Sequence, residues 1–351
     1  MTHGNGGAVA LSVIVPTFNE GRHVTRLLDS LAEQDLDLLY EVLVVDGRST
    51  DDTRQKVDTW VAANAQRLAG SPSVRLLDNE KRRTPFAFNI GLREAAGVHV
   101  AILGAHARYE RNYLSACLNE VRSAPAPTMC GGLVRTVAAN DSLAARLVVS
   151  VLLNPFASSG SSFRTVTAGP VDTIAFPVVA RDVLLDAGGY DERLTRNQDN
   201  DMNERLRGRG IKLQVTDKTG VDYTAVASPA LLLRYAWRNG WWSATSALIA
   251  KSRMPVRYFV PAAFVGSVGT AASVAVLGRA TIARVARLSV FAALGAHVAL
   301  AVRAGRRERG VVHGTEHVFV PPLILGFHMA YGMGTIASFA SAAGKRFRGR
   351  S

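Results

Sequence analysis

The stretches LSVIVPTFNE, residues 11–20, and YEVLVVD, residues 40–46, decide the fold of this chain. Each begins as an apolar run and ends in polar side chains, Thr17 to Glu20 in the first and Asp46 in the second. The residues between them show the i, i+3, i+4, i+7 spacing of an amphipathic helix, at Val24, Leu27, Leu28 and Leu31. Together they predict a β-α-β unit, and continuous apolar strands are typical of a parallel sheet covered on both faces.

The same alternation continues as far as residue 106. It predicts a helix from Asp51 to Leu68 capped by Ser49 or Thr50, a strand Ser73–Leu77 ending at Asp78, a helix from Thr84 to Gly97, and a strand Val98–Leu103 running into Gly104, Ala105 and His106. Because ligands of open α/β sheets bind beyond the carboxyl ends of the strands, we expect these polar residues to face one site.

The first strand is not followed by the Gly-x-Gly-x-x-Gly loop that holds a dinucleotide pyrophosphate. Glu20 and Asp46 instead favour recognition of a base and a ribose by side chains. For either carboxylate alone, helix capping or turn formation is an equally good interpretation. Asp46 could also be the phosphoacceptor of a response regulator, although the apolar end of the chain and a second acidic cluster argue against this.

The middle of the chain is predicted to contain both helices and strands. The predicted elements are a helix Ser142–Leu153, a Ser/Gly loop from Ala157 to Ser162, a strand Thr173–Pro177, and helices at Ala180–Ala187 and Asn200–Arg209. Cys117 and Cys130 form neither a disulfide framework nor a metal-binding spacing, which fits a reducing compartment. Residues 1–10 lack the pattern of a signal peptide, so we expect the catalytic face to be cytoplasmic.

The net charge of +13 is concentrated at one end, because 14 Lys and Arg stand against 2 acidic residues after residue 250. These charges flank uncharged stretches of 21 residues at Tyr258–Gly278, 15 at Leu288–Val302 and 28 at His317–Gly344. The pattern predicts juxtamembrane anchors and membrane association rather than nucleic-acid binding. The positive-inside rule favours one interfacial or re-entrant stretch, and Pro321-Pro322 suggests an interrupted helix. The expected domains are 1–233 (catalytic), 234–257 (interface) and 258–351 (membrane).

Four further groups can carry chemistry. Lys81 to Arg83 precede a helix and either contact a diphosphate or form a solvated face. His106 is a candidate metal or diphosphate contact or a structural histidine. In the run from Arg196 to Asp201, Asp201 is expected to cap a helix and Asp199 to act as a general base. Arg234 to Trp242 contain three of the four tryptophans, which indicates a membrane interface or an acceptor site.

Three of these motifs together resemble family 2 glycosyltransferases of the GT-A fold, in particular the succinoglycan-type, membrane-associated glucosyltransferases of bacterial polysaccharide assembly. They are VPTFNE at 15–20, VVDGRSTDDT at 44–53 and RNQDNDMNERLR at 196–207. The resemblance implies a Rossmann-like mixed sheet with helices on both faces. It also implies a nucleotide-sugar donor, usually a UDP-sugar, and transfer with inversion to a lipid-linked acceptor.

The resemblance implies the following roles. Asp199 is the catalytic base, and Gln198, Arg238, Trp241 and Trp242 lie on the acceptor or membrane side. The nucleotide-sugar site comprises Pro16, Thr17, Asn19, Glu20, Asp46, Ser49, Asp78, Lys81, Arg82, Asn89 and Ala105. His106 takes the metal-ligand position of the family's Asp-x-Asp or Asp-x-His motif, for Mn²⁺ or Mg²⁺. Gly104 replaces the first carboxylate of that motif.

The predicted function is therefore an inverting glycosyltransferase that uses a nucleotide-sugar and a polyprenyl-linked or other lipid-linked acceptor. It would act at a bacterial inner membrane, in contact with membrane lipids and without nucleic acid. The alternatives are a processive polysaccharide synthase, a catalytically weak nucleotide-sugar-binding scaffold and a soluble nucleotidyltransferase.

Overall fold

The computed structural model describes residues 8–68, 71–158, 164, 166–250, 255–305 and 311–348. The chain divides into two compact units, residues 1–135 with 161–224 and residues 136–160 with 225–351. This division does not follow the linear one expected from the sequence, because residues 136–160 group with the C-terminal helices.

The strands in the described residues are β1 Leu11–Thr17, β2 Tyr40–Asp46, β3 Ser73–Asp78, β4 His99–Ile102, β5 Ala107–Tyr109, β6 Thr128–Val137, β7 Gly169–Pro170, β8 Val178–Ala180 and β9 Lys212–Thr224. The helices are α1 Val24–Ala32, α2 Thr53–Leu68, α3 Thr84–Glu94, α4 Tyr113–Ser123, α5 Leu143–Leu153, α6 Pro155–Ser158, α7 Arg181–Asp186, α8 Gln198–Gly208, α9 Pro229–Ile249, α10 Val260–Leu277, α11 Ala280–Gly305 and α12 Val320–Arg348.

The first unit is built on one mixed sheet with the strand order β3-β2-β1-β4-β8-β6-β9-β5, and β7 pairs with β9. Strands β1 to β4 run parallel to one another, and β8 pairs with β4 in the antiparallel direction. Side chains alternate along β1, so Val13 and Val15 pack on the face that α1 covers and Ile14 packs on the face of α3. Both faces are covered, which explains the uninterrupted apolar runs in the sequence.

Several predicted boundaries were wrong. The helix after β2 begins at Thr53, and its first turn is closed by Asp51, whose Oδ1 accepts the Thr53 N–H at 3.1 Å, rather than by Ser49 or Thr50. The strand expected at 173–177 lies at Val178–Ala180, because Phe176 has a φ of 52° and proline at 177 cannot donate to a ladder. The helix expected from residue 200 begins at Gln198. Residues 159–162 of the expected Ser/Gly loop lie outside the described residues.

The second unit is helical. By length and composition, three helical stretches of its described part could cross a membrane: Val256–Leu277, Ala280–Gly305 and Gly314–Gly344, of 22, 26 and 31 residues. The first and the last begin as 3-10 helices, at Val256–Phe259 and Gly314–Phe319. Even the shortest spans about 33 Å at ~1.5 Å per residue. At the interruption expected at Pro321-Pro322 the helix changes its winding rather than breaking: a 3-10 helix, Gly314–Phe319, leads into α12 at Val320, and both prolines lie in the first turn of α12.

Helices α9 and α12 pack closely through small residues. A Cβ atom on Gly240 would lie 1.9 Å from the carbonyl oxygen of Tyr331, and Thr335 Oγ1 donates to the Gly240 carbonyl at 3.1 Å. Ser243 Oγ and the Tyr331 hydroxyl are 2.6 Å apart. Small residues that let two backbones approach, joined by hydroxyl bonds, are typical of helix packing in membranes. The segment around Trp241 is therefore part of a packed helix that begins at Pro229, five residues before the predicted interface segment.

Candidate active site

The carboxyl ends of β1, β2 and β3 are in register. Thr17 pairs with Asp46, and Asp46 pairs with Asp78, so the three residues form one row across the sheet edge. The backbone continues this row, because the Gly47 N–H donates to the Thr17 carbonyl at 2.8 Å and the Asn79 N–H donates to the Asp46 carbonyl at 2.8 Å. The predicted clustering of strand ends at one edge is confirmed.

Asp46 is fully buried, and each of its carboxylate oxygens accepts two protein donors. Oδ1 accepts the hydroxyls of Ser49 at 2.6 Å and Thr17 at 3.3 Å. Oδ2 accepts the Ser49 N–H at 2.9 Å and Arg54 Nη1 at 3.1 Å. Buried charges require such compensation. In the structure, Asp46 organises the turn after β2 and draws Thr17 and Ser49 together.

Arg54, which sequence reasoning missed, bridges the two neighbouring acids. Its Nη1 also donates to Asp78 Oδ1 at 3.0 Å, and Arg48 Nε donates to Asp78 Oδ2 at 3.1 Å. Desolvation alone would raise the pKa of Asp78, but the hydrogen bonds and charges of the two arginines hold that pKa below its usual value. The Asp78 carboxylate is partly exposed at this edge and stays ionised.

The loop that contains Asn19 and Glu20 is tied to the loop after β2. Asn19 has a φ of 57°, its N–H donates to Ser49 Oγ at 2.8 Å, and its Oδ1 accepts the Thr50 N–H at 2.8 Å. The Glu20 N–H donates to Thr53 Oγ1 at 2.8 Å. Pro16 lies within β1, and Phe18 is 47% exposed beside this loop. An exposed aromatic ring at a ligand edge is a second feature that sequence reasoning missed.

Glu20 contacts the predicted metal ligand. Its Oε1 lies 2.8 Å from His106 Nε2, and the His23 ring stands edge-on to the His106 ring at 4.9 Å between centroids. One donor atom from each of the three residues lies within 4.8 Å of the others. The hydrogen bond to Glu20 raises the pKa of His106, while burial and the neighbouring His106 lower the pKa of His23. His23 was missed in the sequence, although its spacing of three from Glu20 is that of one helical turn.

Gly104 occupies a position where a side chain is sterically restricted. A Cβ atom there would lie 3.0 Å from Cε1 of Phe176. The Gly104 N–H donates to the Tyr109 hydroxyl at 2.8 Å, and that hydroxyl donates to the Gly104 carbonyl at 3.2 Å. Phe176 packs edge-on against Tyr109, and Ala105 is buried. An aromatic ring thus fills the space beside Gly104.

The basic loop reaches the same edge and also approaches the loop before α8. Asn79 anchors it, since the Arg82 N–H donates to the Asn79 carbonyl at 3.1 Å and Asn79 Nδ2 donates to the Arg83 carbonyl at 3.0 Å. Arg83 Nη1 donates to Thr195 Oγ1 at 3.4 Å, whereas Lys81 and Arg82 are exposed.

Asn89 holds the turn that precedes α8. Its Nδ2 donates to the Tyr190 carbonyl at 2.9 Å and to Glu192 Oε1 at 3.0 Å, and its Oδ1 accepts the Tyr190 N–H at 2.8 Å. These bonds engage both ends of the amide, so the structure gives Asn89 a positioning role. Donor binding by Asn89 stays a prediction.

Asp199 lies in the first turn of α8. The residue is exposed, and its Oδ1 accepts the Asn200 N–H at 2.9 Å. Protein atoms around the carboxylate weaken its hydration without covering it, and this raises the pKa of Asp199. Backbone hydrogen bonds and the charge of Arg196 act in the opposite direction and lower that pKa. Next to it, Gln198 Oε1 is buried and has no hydrogen-bond partner among the described residues.

Asp201 does not cap α8, contrary to the sequence expectation. Asn197, with a φ of 61°, precedes the helix. Asp201 is fully buried and accepts Arg205 Nε at 2.8 Å. Arg205 in turn donates to the carbonyls of Ala187 and Gly189, at 2.7 and 2.9 Å, so this pair fastens the turn after α7 to α8.

The remaining predicted residues, Arg238, Trp241 and Trp242, lie on α9 of the second unit. Arg238 is exposed and the two tryptophans are half-buried. Their acceptor-side role stays a prediction.

One family model and several known proteins are similar in sequence to this chain. Residues 12–157 match the model of glycosyl transferase family 2. The chain is 27% identical over 268 residues to the dolichyl N-acetyl-alpha-D-glucosaminyl phosphate 3-beta-D-2,3-diacetamido-2,3-dideoxy-beta-D-glucuronosyltransferase of Methanococcus voltae, covering 72% of this chain and 78% of that protein. It is 28% identical over 215 residues to the succinoglycan biosynthesis protein ExoA of Rhizobium meliloti, covering 60% of this chain and 62% of that protein.

Among solved structures, the mannosyltransferase PcManGT of Pyrobaculum calidifontis, in complex with GDP-Man and Mn²⁺, superposes with a TM-score of 0.60. The identity is 18%, and the match covers 94% of this chain and 88% of that one. The fold is therefore that of the GT-A glycosyltransferases. The chain is a glycosyltransferase that carries a glycosyl transferase family 2 domain at residues 12–157 and C-terminal helices that could span a membrane.

Proposed function

We propose that this protein transfers a sugar from a nucleotide-sugar, a UDP-sugar in the first instance, to a hydroxyl group of a lipid-linked saccharide. The observation that carries the proposal is the environment of Asp199. Asp199 stands in the first turn of α8 with an exposed side chain, and its Oδ1 accepts the Asn200 N–H at 2.9 Å, so the carboxylate is accessible to an acceptor hydroxyl, as a general base must be. The similar proteins support the substrate classes, because the Methanococcus voltae relative is named for transfer to a dolichyl phosphate saccharide and the structural neighbour holds GDP-Man.

In the proposed reaction, Asp199 removes the proton from the acceptor hydroxyl. The oxygen then forms a bond to the anomeric carbon as the bond to the diphosphate breaks on the opposite face, so the configuration inverts. Thr17, Asn19, Asp46, Ser49 and Asp78 form the edge that would receive the nucleoside. Negative charge that develops on the leaving diphosphate would be met by Lys81 and Arg82.

The residues near His106 fit a divalent cation. Glu20 Oε2 is a buried carboxylate oxygen without a hydrogen-bond partner among the residues that the structure describes, and two imidazoles lie beside it. When bound, a divalent cation supplies positive charge to the diphosphate oxygens.

We further propose that the protein works at the cytoplasmic face of a bacterial inner membrane, in contact with its lipids. The three apolar helices support membrane association, and the two cysteines of the first unit, both buried and free, suit a reducing compartment.

The test is to incubate membranes that contain the protein with labelled UDP-sugars and GDP-mannose, with and without Mn²⁺, and to extract the lipid products. We expect one donor to label a lipid-linked product, and Asp199→Asn to abolish this labelling while donor binding persists. Near-normal turnover of Asp199→Asn would show that the base is another residue. A product lengthened by many sugars would instead indicate a processive synthase.

Gly104 supports a second candidate, a nucleotide-sugar-binding scaffold without turnover. A carboxylate is absent at this position, and the Phe176 ring restricts the space beside it. Donor binding in the wild-type protein, without product for any donor and acceptor membrane tested, would favour this candidate.

A further inference from the structure

The segment after β4 offers only one metal-binding side chain. Gly104 has no donor atom, Ala105 is buried and apolar, and His106 alone carries a nitrogen that can bind a cation. Phe176 Cε1 lies 3.0 Å from where a Cβ on Gly104 would be, so a side chain at this position would require the Phe176 ring to shift slightly. Any further protein ligands must come from another segment.

That segment is the turn that leads into α1. Glu20 and His23 are three residues apart, and backbone bonds from His23 and Val24 to the Glu20 carbonyl, at 2.8 and 2.9 Å, wind them into one turn. This places both side chains on the side of His106. The turn is held from outside as well, since the Gly21 carbonyl accepts Lys56 Nζ at 2.8 Å. The three side chains therefore meet on a supported backbone, which favours a preorganised site.

A second, independent observation points to a ligand. The Glu20 side chain is only 12% exposed, and its Oε1 already contacts His106. Its Oε2 is buried and has no hydrogen-bond partner within the described parts of the chain. A buried carboxylate oxygen left unpaired is costly, and a cation bound between the carboxylate and the imidazoles would satisfy it.

We propose that Glu20, His23 and His106 together form the divalent-metal centre of this protein, and that it selects Mn²⁺, Co²⁺ or Zn²⁺ over Mg²⁺. Two imidazole nitrogens and one carboxylate oxygen suit these ions, whereas Mg²⁺ prefers oxygen ligands only. Three protein ligands leave further coordination positions open for water or phosphate oxygens. This inference deepens the proposed function, because the same cation would serve the donor diphosphate.

The test uses the full-length protein in detergent with a tag that lacks histidine, stripped with a chelator. Co²⁺ is added without nucleotide and followed by its visible absorption, and Mn²⁺ is followed by electron paramagnetic resonance. We expect one ion per chain, no displacement of Co²⁺ by millimolar Mg²⁺, and a Kd at least tenfold higher in His23→Gln and in Glu20→Gln.

His99→Gln is the matched control, because His99 begins β4 at the opposite end of the strand from His106. It should leave Co²⁺ binding unchanged, and thermal unfolding in chelator identifies any variant that fails to fold. Wild-type affinity in folded His23→Gln overturns the three-ligand site, as does displacement of Co²⁺ by Mg²⁺.

The two proposals fail separately. Co²⁺ binding that depends on His23, without sugar transfer from any donor, would preserve the metal centre and contradict the proposed function. Sugar transfer with an unchanged metal requirement in His23→Gln would preserve the function and contradict the centre.

Discussion

At the scale of single residues, the carboxylates of this site differ by their environment rather than their type. Asp46 is saturated by four protein donors, Asp78 is paired with two arginines, and Asp199 is exposed and accepts a backbone N–H. The first two therefore organise the sheet edge, and the third is accessible for the proton abstraction that we propose.

The first prediction concerns the pH dependence of turnover. Because desolvation raises the pKa of Asp199 from an ordinary value of 3.8, the base is lost as the pH falls through that raised pKa. We expect the acid limb of the kcat/KM profile to lie above pH 3.8. Asp199→Asn should abolish transfer, and any trace of turnover that a sensitive assay still detects in it should lack this limb. If the acid limb stays at the same pH in that variant, it reports the titration of a different group.

The second prediction separates Asp201 from Asp199. Asp201→Asn leaves the buried guanidinium of Arg205 without its carboxylate and should lower the free energy of unfolding by about 3 kcal/mol. Thermal or denaturant unfolding of the detergent-solubilised protein measures this loss. Asp199→Asn should cost little stability at neutral pH, since the Asp199 side chain is exposed.

Asp52→Asn is the matched control for Asp201→Asn. Asp52 and Lys56 form another i,i+4 pair at 2.8 Å, the same distance as between Asp201 and Arg205, but both side chains are largely exposed. Its loss should change stability by no more than about 0.5 kcal/mol. Equal costs for the two substitutions would mean that burial does not determine the strength of the Asp201 pair.

At the scale of elements, close packing of α9 on α12 explains why glycine stands at position 240. The third prediction compares Gly240→Ala with Gly266→Ala, both within helices. A Cβ on Gly240 would meet the Tyr331 backbone, whereas one on Gly266 would have no neighbour within 4 Å in the described structure.

Alanine in place of a helical glycine stabilises an exposed site by about 1 kcal/mol, so the two substitutions should have opposite signs. We expect Gly240→Ala to lower the melting temperature in detergent and Gly266→Ala to leave it unchanged or raise it. A lower melting temperature for both variants would indicate that α10 is also packed tightly at Gly266.

At the scale of the whole molecule, the fourth prediction follows from the proposed location of the first unit in the cytoplasm. Ser123 is exposed at the end of α4, whereas the native Cys117 and Cys130 are fully buried. Ser123→Cys therefore adds one accessible thiol to a protein whose two native thiols are shielded from a labelling reagent. In spheroplasts, an impermeant maleimide should label this thiol only after the inner membrane is opened. Labelling of intact spheroplasts would place the first unit outside the cytoplasm.

The protein should also remain with the membrane fraction in high salt and in alkaline carbonate, because the apolar helices bind by burial in hydrocarbon rather than by charge. Release by salt alone would mean that the Lys and Arg of the C-terminal part provide the attachment.

The sequence by itself determined the parallel half of the sheet, the row of Thr17, Asp46 and Asp78, and the three apolar stretches. These features follow from local periodicity and from the rule that parallel strands end at one edge, so residues that are close in the sequence are sufficient to predict them. Only the tertiary structure decided that Asp201 is a buried partner of Arg205, that Asn89 holds the Tyr190 turn, and that Phe176 fills the space at Gly104. It also brought His23 to His106, more than 80 residues away along the chain. Such contacts depend on how distant segments pack, and no local pattern encodes a neighbour that only folding supplies.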